Sequence, residues 1–186
     1  MTLSINKLFN IEGKTAVVTG GSRGIGEMIA SGFLANGTRV VITARKEEAL
    51  IKKAEELENK FGVSCVPFCV DLSSAEGIEL FAKFISENYS DGIDFLINNA
   101  GAAWGAPYDQ FPESGWDKVI DLNVKTPFFL TQKLTSLLEK KGSSEDPSRV
   151  VNIASIDGLR VPQMETYSYT ASKSGLIHLT KHMAKT

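Results

Sequence analysis

The chain has 186 residues, 42% hydrophobic and 23% charged, with a net charge of −2, enough for one domain with its own core and too short for two. That balance gives no basic face for nucleic acid or an anionic membrane. The opening MTLSINKLFNIEGK lacks the roughly 7–15-residue apolar core of a secretion signal, and no run approaches the ~20 apolar residues of a membrane-spanning helix, so a cytoplasmic, water-soluble domain is expected.

In chain order, TAVVTG (15–20) predicts a first strand, and GIGEMIASGFLANG a helix ending near Gly37, with Ile25, Met28, Ile29 and Phe33 at helical spacing. RVVITA (39–44) is a second strand, followed by the helix EEALIKKAEELENKFG, which Gly62 stops. SCVPFCV (64–70) is a third strand. Its Cys65 and Cys69 point to one face about 13 Å apart, too far for a disulfide, and read as two buried apolar thiols. SSAEGIELFAKFISENY is a third helix, capped by Ser73 or Ser74, and DFLINNA (94–100) a fourth strand. Residues 114–122 predict a fourth helix. TPFFLTQKLTSLLEKKG makes a fifth, with Thr126 as cap, Pro127 in its first turn and Gly142 beyond its end. KKGSSEDPS (140–148) is a polar surface loop, RVVNIAS (149–155) a fifth strand, and a sixth helix runs from about Ser168 to the end. The strand runs do not alternate polar with apolar, so each is expected to be buried on both faces. The β-α alternation predicts a doubly wound parallel α/β sheet of Rossmann type.

TGGSRGIG (19–26) joins the first strand to the first helix, with Gly20, Gly24 and Gly26 spaced G-x-x-x-G-x-G rather than G-x-G-x-x-G. Glycines there let the backbone approach a pyrophosphate, and the helix N-terminus offers free N–H groups; a purely structural turn is the other reading. The end of the second strand, ITARK (42–46), is where NAD sites place an acidic residue on the ribose hydroxyls and where an arginine accommodates a 2′-phosphate. Ala44 carries no carboxylate, so Arg45, with Arg23 beside it, reads as a phosphate partner in preference to a solvated strand end. Lys46 reads as solvated. The expected cofactor is NADP.

YSYTASKSG (167–175) holds two tyrosines and a lysine. Tyr169 and Lys173 are four apart and share a helix face, whereas Tyr167 has Ala171 at that offset. A phenol with a pKa of ~10 needs about 4 kcal/mol of preference for the phenolate to act near pH 7. A unit charge roughly 4 Å away supplies that at an effective dielectric near 20. Tyr169 is therefore the expected proton donor.

Y-T-A-S-K resembles the Y-x-x-x-K motif of the short-chain dehydrogenases/reductases. The family's other marks follow in order: T-G-x-x-x-G-I-G at 19–26, D-L at 71–72, N-N-A-G at 98–101, L-N-V at 122–124 and a serine after the fifth strand. Within the family the chain is similar to 3-oxoacyl-(acyl-carrier-protein) reductases, and NNAGAAWGAPYDQFPESGWDKVIDLNV is similar to the branch described for rhamnolipid synthesis. The resemblance implies a tetrad of Asn123, Ser155, Tyr169 and Lys173. Ser155 would bond the substrate carbonyl, Tyr169 would give the proton, Lys173 would hold the nicotinamide ribose, and Asn123 would position a water. Taken singly, Asn123 and Ser155 read equally as satisfied loop polar groups. The resemblance also implies NADP contacts from Gly20, Ser22, Arg23, Gly24, Ile25 and Gly26, from Arg45, and from Tyr169 and Lys173. Asp71 would receive the adenine amino group beside Leu72, and Asn99, Ala100 and Gly101 would line the cofactor.

The implied activity is NADPH-dependent reduction of a carbonyl, a 3-oxoacyl thioester giving the 3-hydroxyacyl product, by a homodimer or homotetramer with no nucleic-acid or membrane partner. The alternatives are another ketone or secondary alcohol, of sugar or steroid type, or an inactive nucleotide-binding fragment. Enoyl reductases of the family space their tyrosine and lysine more widely. The family continues past this helix with a sixth strand, a substrate-closing segment and a seventh strand, in sheet order 3-2-1-4-5-6-7. Residues 1–186 are thus expected to be one NADP-binding domain lacking those elements, with RVVNIAS an aggregation-prone edge. His178 and His182 lie one turn apart without a third ligand, so no metal site is expected. Trp104, Tyr108, Phe111 and Trp116 read either as the floor of an acyl pocket or as core or interface aromatics.

Overall fold

A computed structural model describes residues 9–185; the expected domain limits at Met1 and Thr186 lie outside that range. Five parallel strands, β1 (Thr15–Thr19), β2 (Arg39–Ala44), β3 (Cys65–Cys69), β4 (Phe95–Asn98) and β5 (Arg149–Asn152), form one sheet in the order β3-β2-β1-β4-β5. The helices are α1 (Gly24–Ala35), α2 (Glu47–Phe61), α3 (Ala75–Asn88), α4 (Glu113–Ile120), α5 (Thr126–Lys141) and α6 (Tyr167–Met183). Among the described residues, no helix is long and apolar enough to cross a membrane. The doubly wound Rossmann-type reading holds.

The period of two along each strand splits the core into two layers. Val17, Val41 and Leu96 face α3 and α5, where Phe81, Ile85, Leu130 and Leu134 meet them. Ala16, Val18, Val40 and Ile42 face the other way, onto Ala30 and Leu34 of α1 and Leu50, Ala54 and Leu57 of α2. The helix punctuation follows local chemistry. Ser74 caps α3 by accepting the Gly77 N–H at 3.0 Å, and Gly62 ends α2 in the left-handed conformation.

Three expectations are corrected. Burial on both faces holds for β1 and β4 but not for the sheet edges: β3 is only partly buried, and on β5 Val151 is 41% exposed. The cysteines are unpaired, but only Cys65 is buried. Burial, with Glu58 nearby, pushes its thiol up to about 12. Cys69, at the far end of the edge strand, is exposed. Finally, the helices expected at 114–122 and 126–142 are one continuous run joined by a π-helical turn, Asp121–Lys125. Thr126 N–H closes the wide turn on the Asp121 carbonyl, and Pro127, which follows, has no N–H to direct at the Asn123 carbonyl as an α-helix would.

Thr126 is consequently no cap; its backbone is helical, and its buried hydroxyl lies 2.5 Å from the Leu72 carbonyl and 3.0 Å from that of Asp121. The hydroxyl ties the wide turn to the loop after β3. Thr126→Val should therefore cost about 1–3 kcal/mol, the penalty for a buried polar group stripped of its partner, read as a lower urea midpoint at unchanged m-value.

Candidate active site

The strand order reverses between β1 and β4, so the loops leaving these two strands diverge and open a crevice at their carboxyl ends. A cleft of about 470 Å³ lies there. Of the residues expected at a cofactor, Gly20, Ser22 and Arg23 line it from the loop after β1, Arg45 from the end of β2, Asp71 and Leu72 from the end of β3, and Asn99, Ala100 and Gly101 from the end of β4. Gly24, Ile25 and Gly26 form the first turn of α1 behind that lining, with the Ile25 side chain 59% exposed. The lining also includes Thr43 and Val70, to which the sequence gave no role, Leu122 of the L-N-V mark, and Lys46, which the sequence read as merely solvated.

The glycines answer to steric demands. Gly20 has φ +69°, a conformation that side chains resist. A Cβ at Gly26 would fall 2.2 Å from the Gly20 carbonyl oxygen and 2.5 Å from Asn99 Nδ2, so α1 packs directly on the turn. Asn99 Nδ2 donates to the carbonyls of Thr19 (2.8 Å) and Gly20 (3.2 Å), while Thr19 Oγ1 accepts the backbone N–H groups of Asn99 (3.0 Å) and Ala100 (2.9 Å). Thr19 was missed in the sequence; a threonine ending a strand beside the glycine turn was the available signal.

Across the cleft, Arg45 Nη1 is 4.0 Å from Asp71 Oδ2, both side chains being largely solvated. Partial burial opposes ionisation of Asp71. Bonds from the Ser73 N–H (3.0 Å) and hydroxyl (2.8 Å) to Oδ1, together with Arg45 and Lys118, outweigh it and hold the carboxyl below its usual range.

Asn123 and Lys173 converge beyond Gly101, and Tyr169 stands beside Lys173. Asn123 is carried by the π turn and buried; its amide exchanges two bonds with the Ala102 backbone, at 2.8 and 2.9 Å. The Cβ position of Gly101 is 3.2 Å from Asn123 Oδ1 and 3.7 Å from Lys173 Nζ. Lys173 is 5% exposed; its Nζ donates to the Ile153 carbonyl at 2.7 Å and stands 5.7 Å from the centre of the Tyr169 ring. The shared face inferred from the four-residue spacing is thus realised. Ser155 follows two residues after Ile153 and heads the 3₁₀ turn Ile156–Gly158, its Oγ accepting the Asp157 N–H at 3.2 Å. That turn abuts α6: a Cβ at Gly158 would lie 2.8 Å from the backbone carbon of Lys173.

Tyr167 is placed differently. Partial desolvation, then the Glu165 carboxylate 3.4 Å from its hydroxyl, raises its pKa. Its ring packs edge-on against Tyr108 (5.6 Å) and Phe111 (5.7 Å), and Phe111 continues to Trp116. Tyr108 is 80% exposed, so this cluster is not core. Trp104 lies apart, under Gly115 and beneath Lys118. His178 and His182 are exposed on α6.

Burial alone lowers the pKa of Lys173 from 10.5. The unfolded chain therefore binds this proton more tightly, and between the lowered value and 10.5 stability rises with pH; the penalty is fully present below that window. Lys173→Met removes the linkage. Urea midpoints measured at increasing pH should show the parent gaining on the variant as pH approaches 10.5, and parallel curves would refute the burial penalty.

Comparison with known proteins agrees with this geometry. The chain matches the short chain dehydrogenase family over residues 14–186. It is 43% identical, over 95% of its length and 68% of the relative's, to the rhamnolipids biosynthesis 3-oxoacyl-[acyl-carrier-protein] reductase of Pseudomonas aeruginosa. The solved RhlG/NADP active-site complex of P. aeruginosa superposes with a TM-score of 0.90 at 43% identity, covering 95% of this chain and 68% of that one. The L-sorbose reductase of Gluconobacter frateurii, solved with NADPH and L-sorbose, superposes with a TM-score of 0.87 at 29% identity, covering 95% and 65%. The sheet order, the glycine turn packed on Asn99 and the Tyr169–Lys173 pair are thus those of a family member: the chain belongs to the short chain dehydrogenases.

Proposed function

We propose that this protein reduces a carbonyl with NADPH and that its substrate is a 3-oxoacyl thioester. The observation that carries the reading is the convergence of Lys173 and Asn123 on Gly101, with the Tyr169 ring beside the Lys173 ammonium, at the end of a cleft whose opposite side is cationic. The residues fit the dinucleotide. Gly20 and Gly26 leave room for backbone approach, Arg45 and Arg23 line the cleft and would take the 2′-phosphate, and Ala44 offers no carboxylate to repel it. When bound, NADPH supplies the hydride.

The chain's own groups do the rest. Ser155 Oγ donates to the carbonyl oxygen and fixes its direction, and Tyr169 gives that oxygen its proton, so one hydride and one proton convert the ketone to a secondary alcohol. Lys173, anchored on the Ile153 carbonyl, favours the phenolate that remains. Asn123 holds the Gly101–Ala102 backbone against α6 and positions the water that resupplies the proton. The thioester is supported by the 43% identity to the Pseudomonas reductase. A sugar ketone is the second reading, supported by the likeness to the sorbose reductase. Action as a homodimer or homotetramer in the cytoplasm completes the proposal; two unpaired cysteines fit a reducing compartment.

A panel of 3-oxoacyl thioesters, sugar ketones and simple ketones assayed with NADPH separates the readings. Fastest turnover of the thioesters is expected, and NADPH binding without turnover of any would refute the enzyme reading. Arg45→Ala should raise the Kd for NADPH roughly ten- to a hundredfold, the worth of a charge-assisted phosphate contact, and leave NADH nearly unaffected. Equal losses would remove Arg45 from the phosphate. Tyr169→Phe should lower kcat at least ~100-fold, the usual worth of a general acid, with NADPH affinity retained, whereas Tyr167→Phe should be mild; the reverse ranking would sink the assignment of the donor.

A further inference from the structure

Ser172 has no part in the roles assigned above, yet its surroundings are specific. It is completely buried on α6, three residues after Tyr169 and one before Lys173. Its hydroxyl donates to the Tyr169 carbonyl at 2.7 Å and accepts from Asn123 Nδ2 at 2.9 Å. A serine bonded only to its own helix would be ordinary; the bond arriving from the π turn is not. With it, both Asn123 Nδ2 hydrogens are used, on the Ala102 carbonyl and on Ser172, while Oδ1 takes the Ala102 N–H. The asparagine side chain is a connector between the loop after β4 and α6, and Ser172 is where it grips the helix.

Successive helical residues turn by about 100°, so any rotation of α6 carries the Tyr169 phenol and the Lys173 ammonium together. The bond from Asn123 resists that rotation at the carbonyl of Tyr169 itself. We infer that Ser172 is a positioning residue for proton transfer, fixing through its bridge between Asn123 and the Tyr169 carbonyl the angle at which phenol and ammonium face Ser155. This rests on the reading of Tyr169 as proton donor.

The test uses the whole chain with NADPH and 3-oxobutanoyl-CoA, or whichever carbonyl compound of the panel turns over fastest. Ser172→Ala should lower kcat about tenfold, the scale on which small misplacements of reacting groups act, with little change in KM, and should shift the midpoint of the kcat–pH profile. Ser172→Thr, which keeps the hydroxyl, should recover most of kcat and restore the midpoint. Should Ser172→Ala not fold, Ser172→Cys, of similar volume but weaker bonding, carries the same comparison. An unaltered kcat and midpoint, or a loss of kcat that only tracks the folded fraction with the midpoint unmoved, would overturn the inference. Tyr169→Phe is assayed alongside. Activity surviving there overturns the donor reading itself, whereas an inactive Tyr169→Phe beside a normal Ser172→Ala overturns the positioning role alone.

Discussion

The site depends on a short set of hydrogen bonds that span the point where the strand order reverses. Thr19 ends β1 and Asn99 follows β4, two loops that the parallel topology would otherwise send apart. The threonine hydroxyl holds the Asn99 and Ala100 N–H groups, and the asparagine amide holds the Thr19 and Gly20 carbonyls. Each group satisfies backbone polarity that the crevice would leave unpaired. The glycine turn and the Asn99–Gly101 loop are thereby set as one surface, and the Gly101 end of that surface reaches Asn123 and Lys173.

A second polar seam runs beside the first, away from the cleft. Asn98 Nδ2 reaches Thr131 Oγ1 on α5 (3.2 Å) and Asn152 Oδ1 on β5 (2.8 Å), and Asn152 Nδ2 reaches Thr180 Oγ1 on α6 (2.9 Å). Buried amide and hydroxyl groups of this kind tolerate few alternative arrangements, since each misplacement strands a donor. They register α6 against the sheet near one end, while Lys173 on the Ile153 carbonyl and the Asn123–Ser172 bridge register it near the other. Tyr169 and Lys173, the proposed catalytic side chains, project from a helix clamped at both ends.

How far the sequence spoke for itself differed by residue. The strand runs, the glycine turn and the Tyr169–Lys173 spacing are local patterns, and these read correctly. Tyr167 was set aside on spacing alone, and its carboxylate neighbour Glu165 and aromatic contacts support that for separate reasons. What failed was what depends on position in the sheet. Val151 and Cys69 look like core residues in a valine-rich run, but a strand at the edge of a sheet lacks the neighbours that would bury it. The π turn was illegible because a helix read as a repeating pattern carries no mark of one extra residue, and Pro127 signals a helix start as readily as a widening. Thr19 and Ser172 matter through partners some 80 and 49 positions away in the chain.

The wide turn also fixes an angular phase. An additional residue in a single turn rotates everything after it by about 100° relative to an uninterrupted α-helix. Along Glu113–Lys141 the turn sets the phase at which Leu130, Leu134, Leu137 and Leu138 of α5 point inward relative to Val119 of α4. Shortening the turn by one residue would therefore do more than displace Asn123: it would swing the leucine face of α5 a quarter-turn off the sheet. The polar loop at 142–148, which carries no such phase, has no comparable constraint on its length.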